Sequence, residues 1–540
     1  MAKYIKRLLL SIVITVITGG IVYYFALPPL SFKSVEFWIY AILLLLFLQI
    51  LLPSSFSTAN TNNKKNNSAL DRKFKMVIKA VGIAIALSVL LFINFALASS
   101  RLFNAKDYAN LLRDYIRTED FSTYDATLNN VPLLDKDTAI QISNRVLGSL
   151  VDVVSQFELG KNEQITLNGK PIRVSPLYYG SFFKWVNNRN TGTPGYIKID
   201  MMSQEAELIR LEEGIKYSPS EYFGRDLKRY LRFKYPFAIF SSFNFEVDED
   251  GIPFWIVPVE KHTIGLFGGV DVDYILAVNA VTGEIYKYPV GEIPEWVDNV
   301  YNSDLIISQY NDYGKFQNGY WNSVFGQKGV KVTTEGYNYI PIGSDNWIYT
   351  GVTSVGKDES NIGFILSNKR TKETIYYSVS GAEEFSAMSS AEGVVQHLGY
   401  TATFPLLLNI EGQPTYIMAL KDAGGLVKMY GMVNVEKYHI VATGDTVQSC
   451  QQKYRDLLKN NNMITAGTEA ERISGLIEDI KTAVIDGTTY YYIKLASYDS
   501  YFAFSVKDNQ LIVLKNIGDA ITLEADRKDA GKIRNALLAE

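Results

Sequence analysis

The sequence has few of the side chains from which metal sites and disulfides are built. In 540 residues it contains one cysteine, Cys450, and three histidines, His262, His397 and His439. A single cysteine excludes an internal disulfide, and a lone thiol is most often a small half-buried side chain. The histidines are far apart in sequence and lack the spacing of zinc ligands. We therefore predict neither a metal ion nor a cofactor, and no catalytic residue can be assigned.

Two short enzyme motifs occur, and both are incomplete. Residues 351–357 match the start of a phosphate-binding loop, but Asp358 replaces the hydroxyl residue that holds magnesium. Ser354 and Lys357 have the Ser-x-x-Lys spacing of penicillin-binding enzymes. The accompanying Ser-Asp-Asn, at residues 344–346, comes before them instead of after, and no Lys-Thr-Gly follows. We interpret both regions as hairpin turns.

Two further groups could bind a ligand, and each has a structural alternative. The acidic pairs Asp248/Asp250 and Asp271/Asp273 lack the remaining ligands of a calcium loop, which favours solvated turns. An aromatic cluster in residues 178–185 could stack on sugar rings of a glycan, but aromatics at this density more often form core.

Apolar residues are concentrated in three runs, at about 8–27, 35–53 and 80–98. Since about 20 apolar residues cross a bilayer as a helix, residues 1–100 are predicted to form three transmembrane helices. The loop between the second and third runs, residues 54–75, is rich in Ser, Thr and Asn near its start and is predicted to be disordered.

Basic residues set the predicted orientation. Lysine and arginine flank the first run on its amino-terminal side and fill the loop at 54–75, whereas the turn between the first two runs has little charge. By the positive-inside rule the amino terminus is cytoplasmic and the large remainder extracytoplasmic, in a multi-pass protein of the cell membrane. The first run could instead be a cleaved signal peptide, but residues 25–29 are a poor cleavage site, and the other spans would keep their directions.

The charge of the remainder bears on its partners. Residues 1–100 carry ten Lys/Arg and two Asp/Glu, while the whole chain has a formal net charge of −4, so residues 101–540 have a net charge of −12. An acidic region of this kind argues against nucleic acid as a partner. An exported region without disulfides indicates a bacterial surface that lacks a strongly oxidising compartment.

Residues 101–540 are predicted to form an α+β region in which a helix followed by three strands recurs. Gly-containing turns at 168–169, 248–251, 282–283 and 411–412 separate alternating strands, as in hairpins. The predicted segments are a first α+β unit at 101–210, a second at 211–290, a helical aromatic connector at 291–336, a β-meander at 337–388, a third α+β unit at 389–460, and a small β-barrel at 470–540. The barrel is predicted to be OB- or SH3-like and to end in a helix over 527–538.

The copy at 225–288, which closes with Asn-Ala-Val-Thr-Gly-Glu-Ile at 279–285, resembles the PepSY-type module of bacterial secreted and membrane-anchored proteins. The resemblance implies a role in binding or restraining peptidases outside the cell, and it transfers no catalytic residue. The whole chain also resembles a family of clostridial (Firmicutes) three-span membrane proteins. Pro-Gly-Tyr-Ile at 194–197 and Asn-Ile-Glu-Gly-Gln-Pro-Thr at 409–415 are stretches expected in that family.

Basic residues at helical spacing form the one candidate binding surface. They are Arg225, Lys228, Arg229 and Arg232. Such a stripe could contact anionic lipid headgroups or an anionic wall polymer. The alternative is that it pairs with nearby acids such as Glu212 and Glu213, because charge runs are usually solvated faces.

Three functions remain open. The favoured hypothesis is a non-catalytic membrane-anchored envelope protein that binds or scaffolds a protein or wall polymer and contacts membrane lipid. The second is a regulator that inhibits an extracytoplasmic peptidase through its PepSY-like modules. The third is a cell-wall hydrolase or transferase, for which no carboxylate pair or activated serine can be identified.

Overall fold

The computed structural model describes residues 2–57, 68–124, 132, 134–355, 360–461, 463, 470–485, 488–506, 509–526 and 533–539. The chain divides into two compact units, Met1–Tyr454 and Arg455–Glu540.

Among the residues that the structure describes, three helices are long and apolar enough to cross a membrane. They are α1 (Ala2–Ala26), α2 (Val35–Ser57) and α3 (Ser68–Ala98). Their most apolar portions are Leu8–Ala26, Val35–Leu52 and Lys75–Ala98, which confirms the predicted membrane anchor. Many large apolar side chains on these portions are exposed, as expected of surfaces that lipid covers.

The helices extend further than the predicted disordered loop allows. Helix α2 ends at Ser57 and α3 begins at Ser68, so both ends of the segment 54–75 are helical. Residues 58–67 lie outside the described residues. Lysine and arginine are good helix formers, so the basic stretch before the third apolar run continues the helix.

Helix α4 (Arg101–Arg113) follows α3 directly and leads into strand β1 (Ile116–Glu119). Next come α5 (Lys136–Ser149) and the short α6 (Val151–Val154). The first sheet contains β2 (Phe157–Leu159), β3 (Glu163–Leu167), β4 (Lys170–Tyr179), β5 (Thr193–Asp200) and β6 (Ala206–Ile215), with α7 (Phe182–Asn188) between β4 and β5. Strands β2 and β3 both pair with β4, and the order continues through β5 to β6.

Turn chemistry explains the tight hairpin between β3 and β4. Asn168 and Gly169 have φ values of +52° and +73°, a left-handed pair that asparagine and glycine tolerate best.

The second sheet follows helix α8 (Leu227–Lys234). Its strands are β7 (Ile239–Phe240), β8 (Asn244–Val247), β9 (Pro253–Ile264), β10 (Gly268–Asn279) and β11 (Ile285–Pro289). The order is β11–β10–β9, with β7 and β8 both on β9, and all pairs are antiparallel. Residues of the first sheet, such as Ile172 and Val174, share one core cluster with Trp255, Leu227 and Leu231. The two sheets and α8 therefore form one packed body.

Helix α9 (Ser303–Phe316) leads to a third sheet, the meander. Its strands are β12 (Lys331–Thr333), β13 (Asn338–Ile342), β14 (Asp345–Ser354), β15 (Ser360–Asn368), β16 (Thr374–Tyr377) and β17 (Gly381–Ala382). Strand β1 joins this sheet by parallel pairing with β16. Residues 116–119 thus belong to the meander and not to the first α+β unit in which they were predicted, a long-range pairing that local patterns do not encode.

A fourth sheet completes the first unit. Its strands are β18 (Thr401–Ala402), β19 (Leu406–Ile410), β20 (Gln413–Lys421), β21 (Val427–Asn434) and β22 (Val441–Gly444). Helix α10 (Glu384–Val394) precedes these strands in the sequence, and α11 (Val447–Asn460) follows them. Cys450 on α11 is fully buried, and burial raises the pKa of its thiol to about 12.

The second unit contains a closed barrel. Its strands are β23 (Ala470–Ile485), β24 (Thr488–Leu495), β25 (Tyr501–Ser505), β26 (Ala520–Asp526) and β27 (Ile533–Leu538), in the order β23–β24–β25–β27–β26. The prediction of a helix over 527–538 is wrong for residues 533–538, and 527–532 lie outside the described residues. Arg534 and Ala536 are buried while Ile533 and Leu537 are exposed, the alternation of a strand. The pairing of β27 with β25 and β26 outweighs the helix propensity of the Ala and Leu residues in β27.

Deleting residues 533–540 tests this assignment. We expect the amides of β25 and β26 to lose protection from hydrogen exchange, because the deletion leaves two strand edges unpaired. Amides of β9 and β10, in the first unit, should keep their protection. Unchanged exchange in β25 and β26 would contradict a barrel closed by β27.

Candidate functional site

The predicted basic stripe lies where the second sheet meets the first apolar helix. Asp226 begins α8, because its carboxylate accepts the main-chain N–H of Arg229 at 2.8 Å. Leu227 and Leu231 are fully buried in the core shared by the first two sheets. They are four residues apart and therefore share one face of α8. That anchorage fixes which way the remaining side chains of the helix point.

Arg232 is almost completely buried and contacts main-chain carbonyls. Its Nε donates to the carbonyl oxygen of Leu27 at 3.1 Å, and Nη1 donates to the carbonyls of Pro236 and Ala238. The guanidinium also lies over the ring of Phe240, with 4.5 Å between Cζ and the ring centroid. Burial lowers the pKa of Arg232 from its ordinary value, but arginine stays charged at any physiological pH.

The carbonyl that Arg232 binds belongs to Leu27, the residue that follows the end of α1. Leu27 has a left-handed φ of +52°, and its N–H donates to the carbonyl of Tyr23 at 3.0 Å. The last carbonyls of a helix have no partner within the helix and carry the negative end of its dipole. Buried Arg232 supplies a hydrogen bond to the Leu27 carbonyl and, beside the end of α1, a positive charge that compensates the helix dipole.

The other basic residues have separate surroundings. Arg229 donates from Nε to the carbonyl of Tyr24 at 3.3 Å and lies over the Tyr24 ring. Arg225 lies on a 3₁₀ turn before α8 and pairs with buried Glu221 at 3.4 Å, not with Glu212 or Glu213. Lys228 is exposed. The structure therefore does not bring the four residues together as one surface.

A second set of contacts joins the soluble part to the spans. Ser99, just after α3, accepts at Oγ the main-chain N–H groups of Leu266 and Phe267, at 3.0 and 3.1 Å. Lys33, in the loop between α1 and α2, donates to the carbonyl of His262 at 2.7 Å. We call all these contacts, together with those of Arg229 and Arg232, the seat. They fix the second sheet to the ends of α1 and α3.

A buried polar cluster, the central junction, connects three sheets. Glu246 of β8 accepts the main-chain N–H groups of Asp298 and Asn299, both at 2.8 Å. Asp298 accepts the main-chain N–H groups of Thr166 in β3 and Asn346 in β14. Lys369, which follows β15, donates to the side-chain oxygen of Asn299. These groups are all buried, and the loop residues Asp298 and Asn299 satisfy polar atoms of all three sheets.

Burial perturbs the ionisation of this junction. It raises the pKa of Glu246 to about 7, against the opposing effect of the N–H groups that donate to the carboxylate. Burial and the neighbouring Glu246 raise the pKa of Asp298 well above its ordinary value. Burial lowers the pKa of Lys369. The hydrogen bonds and opposite charges offset part of a desolvation cost that isolated groups could not sustain.

Two further junctions follow the same pattern. Glu384 of α10 is buried and accepts from Tyr349 Oη at 3.2 Å and from Asn361 Nδ2 at 3.3 Å, so α10 is fixed to the meander. Burial raises the pKa of Glu384. Lys372, in the turn before β16, is buried and contacts both carboxylate oxygens of Asp271 at 3.1 Å.

The structure also places the motifs that the sequence contains. Gly351 lies inside β14, where an added Cβ would come within 2.4 Å of Glu384 Oε1; this glycine makes room for the buried acid. Residues 356–359 lie outside the described residues. Gly343 and Ser344 form the turn of the predicted hairpin, while Asp345 and Asn346 begin β14, and Asn346 belongs to the central junction. Asp271 pairs with Lys372 and is not a free calcium ligand.

The aromatic cluster at 178–185 is divided between core and surface. Tyr179 and Trp185 are buried and donate to Glu221 at 2.9 and 2.7 Å. Phe182 and Phe183 are exposed. The prediction of core therefore applies to only part of the cluster.

An open groove of about 510 Å³ runs along α9. It is lined by Arg101, Asp304, Ile307, Ser308, Asn311, Asp312, Lys315 and Phe316. Arg101 forms a two-point ion pair with Asp312, at 2.7 and 3.0 Å. A groove with both charge signs and an apolar floor can bind a polypeptide or polymer segment, whereas no group of three potential metal ligands occurs in the described part of the chain.

Neither the scan against protein-family models nor the search of curated proteins finds a match to this chain. The geometry above is therefore the basis on which a function can be assigned.

Replacing Arg232 separates a structural role from a surface role. We expect Arg232→Leu to lower the free energy of unfolding by about 2–4 kcal/mol, because it leaves buried carbonyls without donors. Lys228→Leu, on the exposed side of the same helix, should change it by less than about 0.5 kcal/mol. Denaturant titration of the detergent-solubilised protein gives both values. Equal effects of the two substitutions would contradict the seat.

Glu246→Gln tests the central junction through pH. A carboxyl group whose folded pKa is raised contributes stability that is complete below its unfolded pKa and is lost as pH rises through the folded pKa. Relative to Glu246→Gln, the wild type should lose about 3 kcal/mol of unfolding free energy between about pH 4.5 and pH 7. Glu249→Gln, in the exposed turn after β8, is the matched control for the removal of a carboxylate. Parallel stability curves for wild type and Glu246→Gln would rule out a raised pKa for Glu246.

Proposed function

We propose that the chain is a membrane-anchored, non-catalytic envelope protein whose soluble region lies outside the cell and binds or scaffolds a protein or wall polymer. The observation that carries the proposal is the seat. Hydrogen bonds join the second sheet and α8 to residues at the ends of the spans, so the soluble part of the first unit is held as a fixed body and not on a flexible tether.

The buried ionisable groups support a structural role and not a catalytic one. Glu246, Glu384 and Lys372 are each directed at protein groups of a distant segment of the chain. A catalytic acid or base has to reach a substrate atom, which requires an open site. The groove along α9 offers the open concave surface that a binding protein needs.

The proposed orientation rests on the basic flanks of the apolar runs. Lysine and arginine before the first span and between the second and third spans favour a cytoplasmic amino terminus and an extracytoplasmic soluble region. The low cysteine content and the resemblance to clostridial three-span proteins favour a Firmicutes envelope as the setting.

An inhibitor of an extracytoplasmic peptidase is the second candidate function. It is favoured by the order of α8, β8, β9, β10 and β11, a helix followed by antiparallel strands as in the PepSY-like pattern. Co-purification with an active peptidase, and a rise in its activity on deletion of this chain, would replace the first proposal with this one.

Labelling of single cysteines tests the orientation. Cys450 is buried, so a membrane-impermeant maleimide should not label it in the folded protein. In intact cells we expect the reagent to label Tyr438→Cys, at an exposed position of the soluble region, and not Lys65→Cys in the loop between spans. The reverse pattern would overturn the proposed location.

Photo-crosslinking in intact cells tests the binding role. A crosslinking amino acid at Asp304, in the groove, should capture a defined protein or glycan that mass spectrometry identifies. The same crosslinking amino acid at position 438 is the matched control for non-specific crosslinks to neighbouring molecules. Recovery of lipid alone from Asp304 would contradict a scaffold that uses this groove.

A further inference from the structure

Several aromatic side chains of the soluble region lie beside the spans themselves. The turn between β9 and β10, at residues 265–267, places the ring of Phe267 against Phe92 of α3, with 5.4 Å between ring centroids. Phe233 of α8 lies 6.0 Å from Tyr23 and 6.4 Å from Tyr24, both on α1. Elements that fold with the soluble sheets thus extend alongside two apolar helices.

The height of the first contact follows from helix geometry. Phe92 precedes Ala98, the last residue of the apolar portion of α3, by six residues. At a rise of about 1.5 Å per residue, Phe92 lies about 9 Å inside the end of the span. Even if the whole 5.4 Å separation were directed along the membrane normal, the ring of Phe267 would still lie within the span.

The second contact is shallower and is continuous with exposed aromatics. Tyr23 precedes the end of α1 by three residues, about 4.5 Å along the helix. Phe233 is 56% exposed, and Phe237, in the following loop, is 68% exposed. Pro236 between them accepts the N–H of Leu30 at 2.7 Å, which fixes this loop to the turn between α1 and α2.

Charge accompanies the aromatics in the pattern of a membrane interface. Lys228 and Lys234 are exposed on α8, and Lys234 follows Phe233 directly in the sequence. Phenylalanine rings insert among acyl chains, while lysine keeps its ammonium group among the headgroups. The same aromatics in water would be an unexplained exposed patch.

We propose that Phe233 and Phe237, together with the β9–β10 turn at Leu266–Phe267, form a lipid-immersed foot by which the soluble region rests in the bilayer that holds its own spans. The occupant is lipid of that bilayer, because the foot is continuous with the spans and reaches their depth. The foot is formed on whichever side of the membrane the soluble region lies, so it does not depend on the proposed function.

The test uses spin labels on full-length protein in nanodiscs of zwitterionic and anionic phospholipid. Phe237→Cys and Phe267→Cys report the foot, Leu87→Cys on α3 reports a lipid-facing span position, and Tyr438→Cys reports an exposed position in the loop between β21 and β22. Buried Cys450 can stay in place. Phe237 is the milder site should the change at Phe267 disturb folding, because its side chain is largely exposed.

The readout is the ratio of collision rates with oxygen, which enters lipid, and with a water-soluble nickel chelate. We expect labels at 237 and 267 to give ratios at least several-fold above that at 438, with the ratio rising from 237 to 267 to 87 as the depth in the bilayer increases. Ratios at 237 and 267 equal to that at 438 would overturn the proposal. If these labels are water-accessible in nanodiscs but shielded in native membranes, a protein partner covers the aromatics and the lipid foot is equally refuted.

Discussion

The unpaired carbonyls at the end of α1 are the constraint on which the arrangement of the first unit depends. A helix that leaves the membrane must satisfy these groups, and here Arg229 of a soluble helix donates to the carbonyl of Tyr24, while buried Arg232 donates to the carbonyl of Leu27, the residue that follows the helix. Arg232 can reach Leu27 only because Leu227 and Leu231 fix α8 in the core of two sheets. Membrane anchor and soluble core are therefore parts of one structure, with a charged side chain at the contact.

The same logic recurs away from the membrane. The sheets of the first unit are joined by buried acids and lysines, Glu246, Glu384, Lys369 and Lys372, in addition to apolar contact. Such groups cost free energy to bury, and they tolerate few alternative arrangements, because each needs specific partners. This is the expected design for a body that has to hold several sheets in fixed relation. It also gives a physical cause for the shifted pKa values of these groups, since each is buried against partners within the protein.

Local patterns in the sequence predicted much of the fold and little of the candidate site. Apolar runs marked the spans, and Asn168–Gly169 marked a hairpin, because both signals depend on neighbouring residues only. The pairing of β1 with β16 and the strand at 533–538 depend on distant partners, so propensity alone gave no sign of the first and the wrong answer for the second. Helical spacing identified Arg229 and Arg232 as noteworthy, but their partners, Tyr24 and Leu27, lie about 200 residues earlier in the chain.

The claim that the soluble region is fixed on its anchor can be measured as a distance distribution between two spin labels. One label on α2, at Leu43, and one in the loop between β21 and β22, at Tyr438, span the seat, while a pair at Met202 and Tyr438 stays within the soluble part of the same unit. We expect the first pair to give a single peak as narrow as that of the second, and Arg232→Leu to broaden only the first. A broad first distribution in the unsubstituted protein would show a flexible tether and contradict the account.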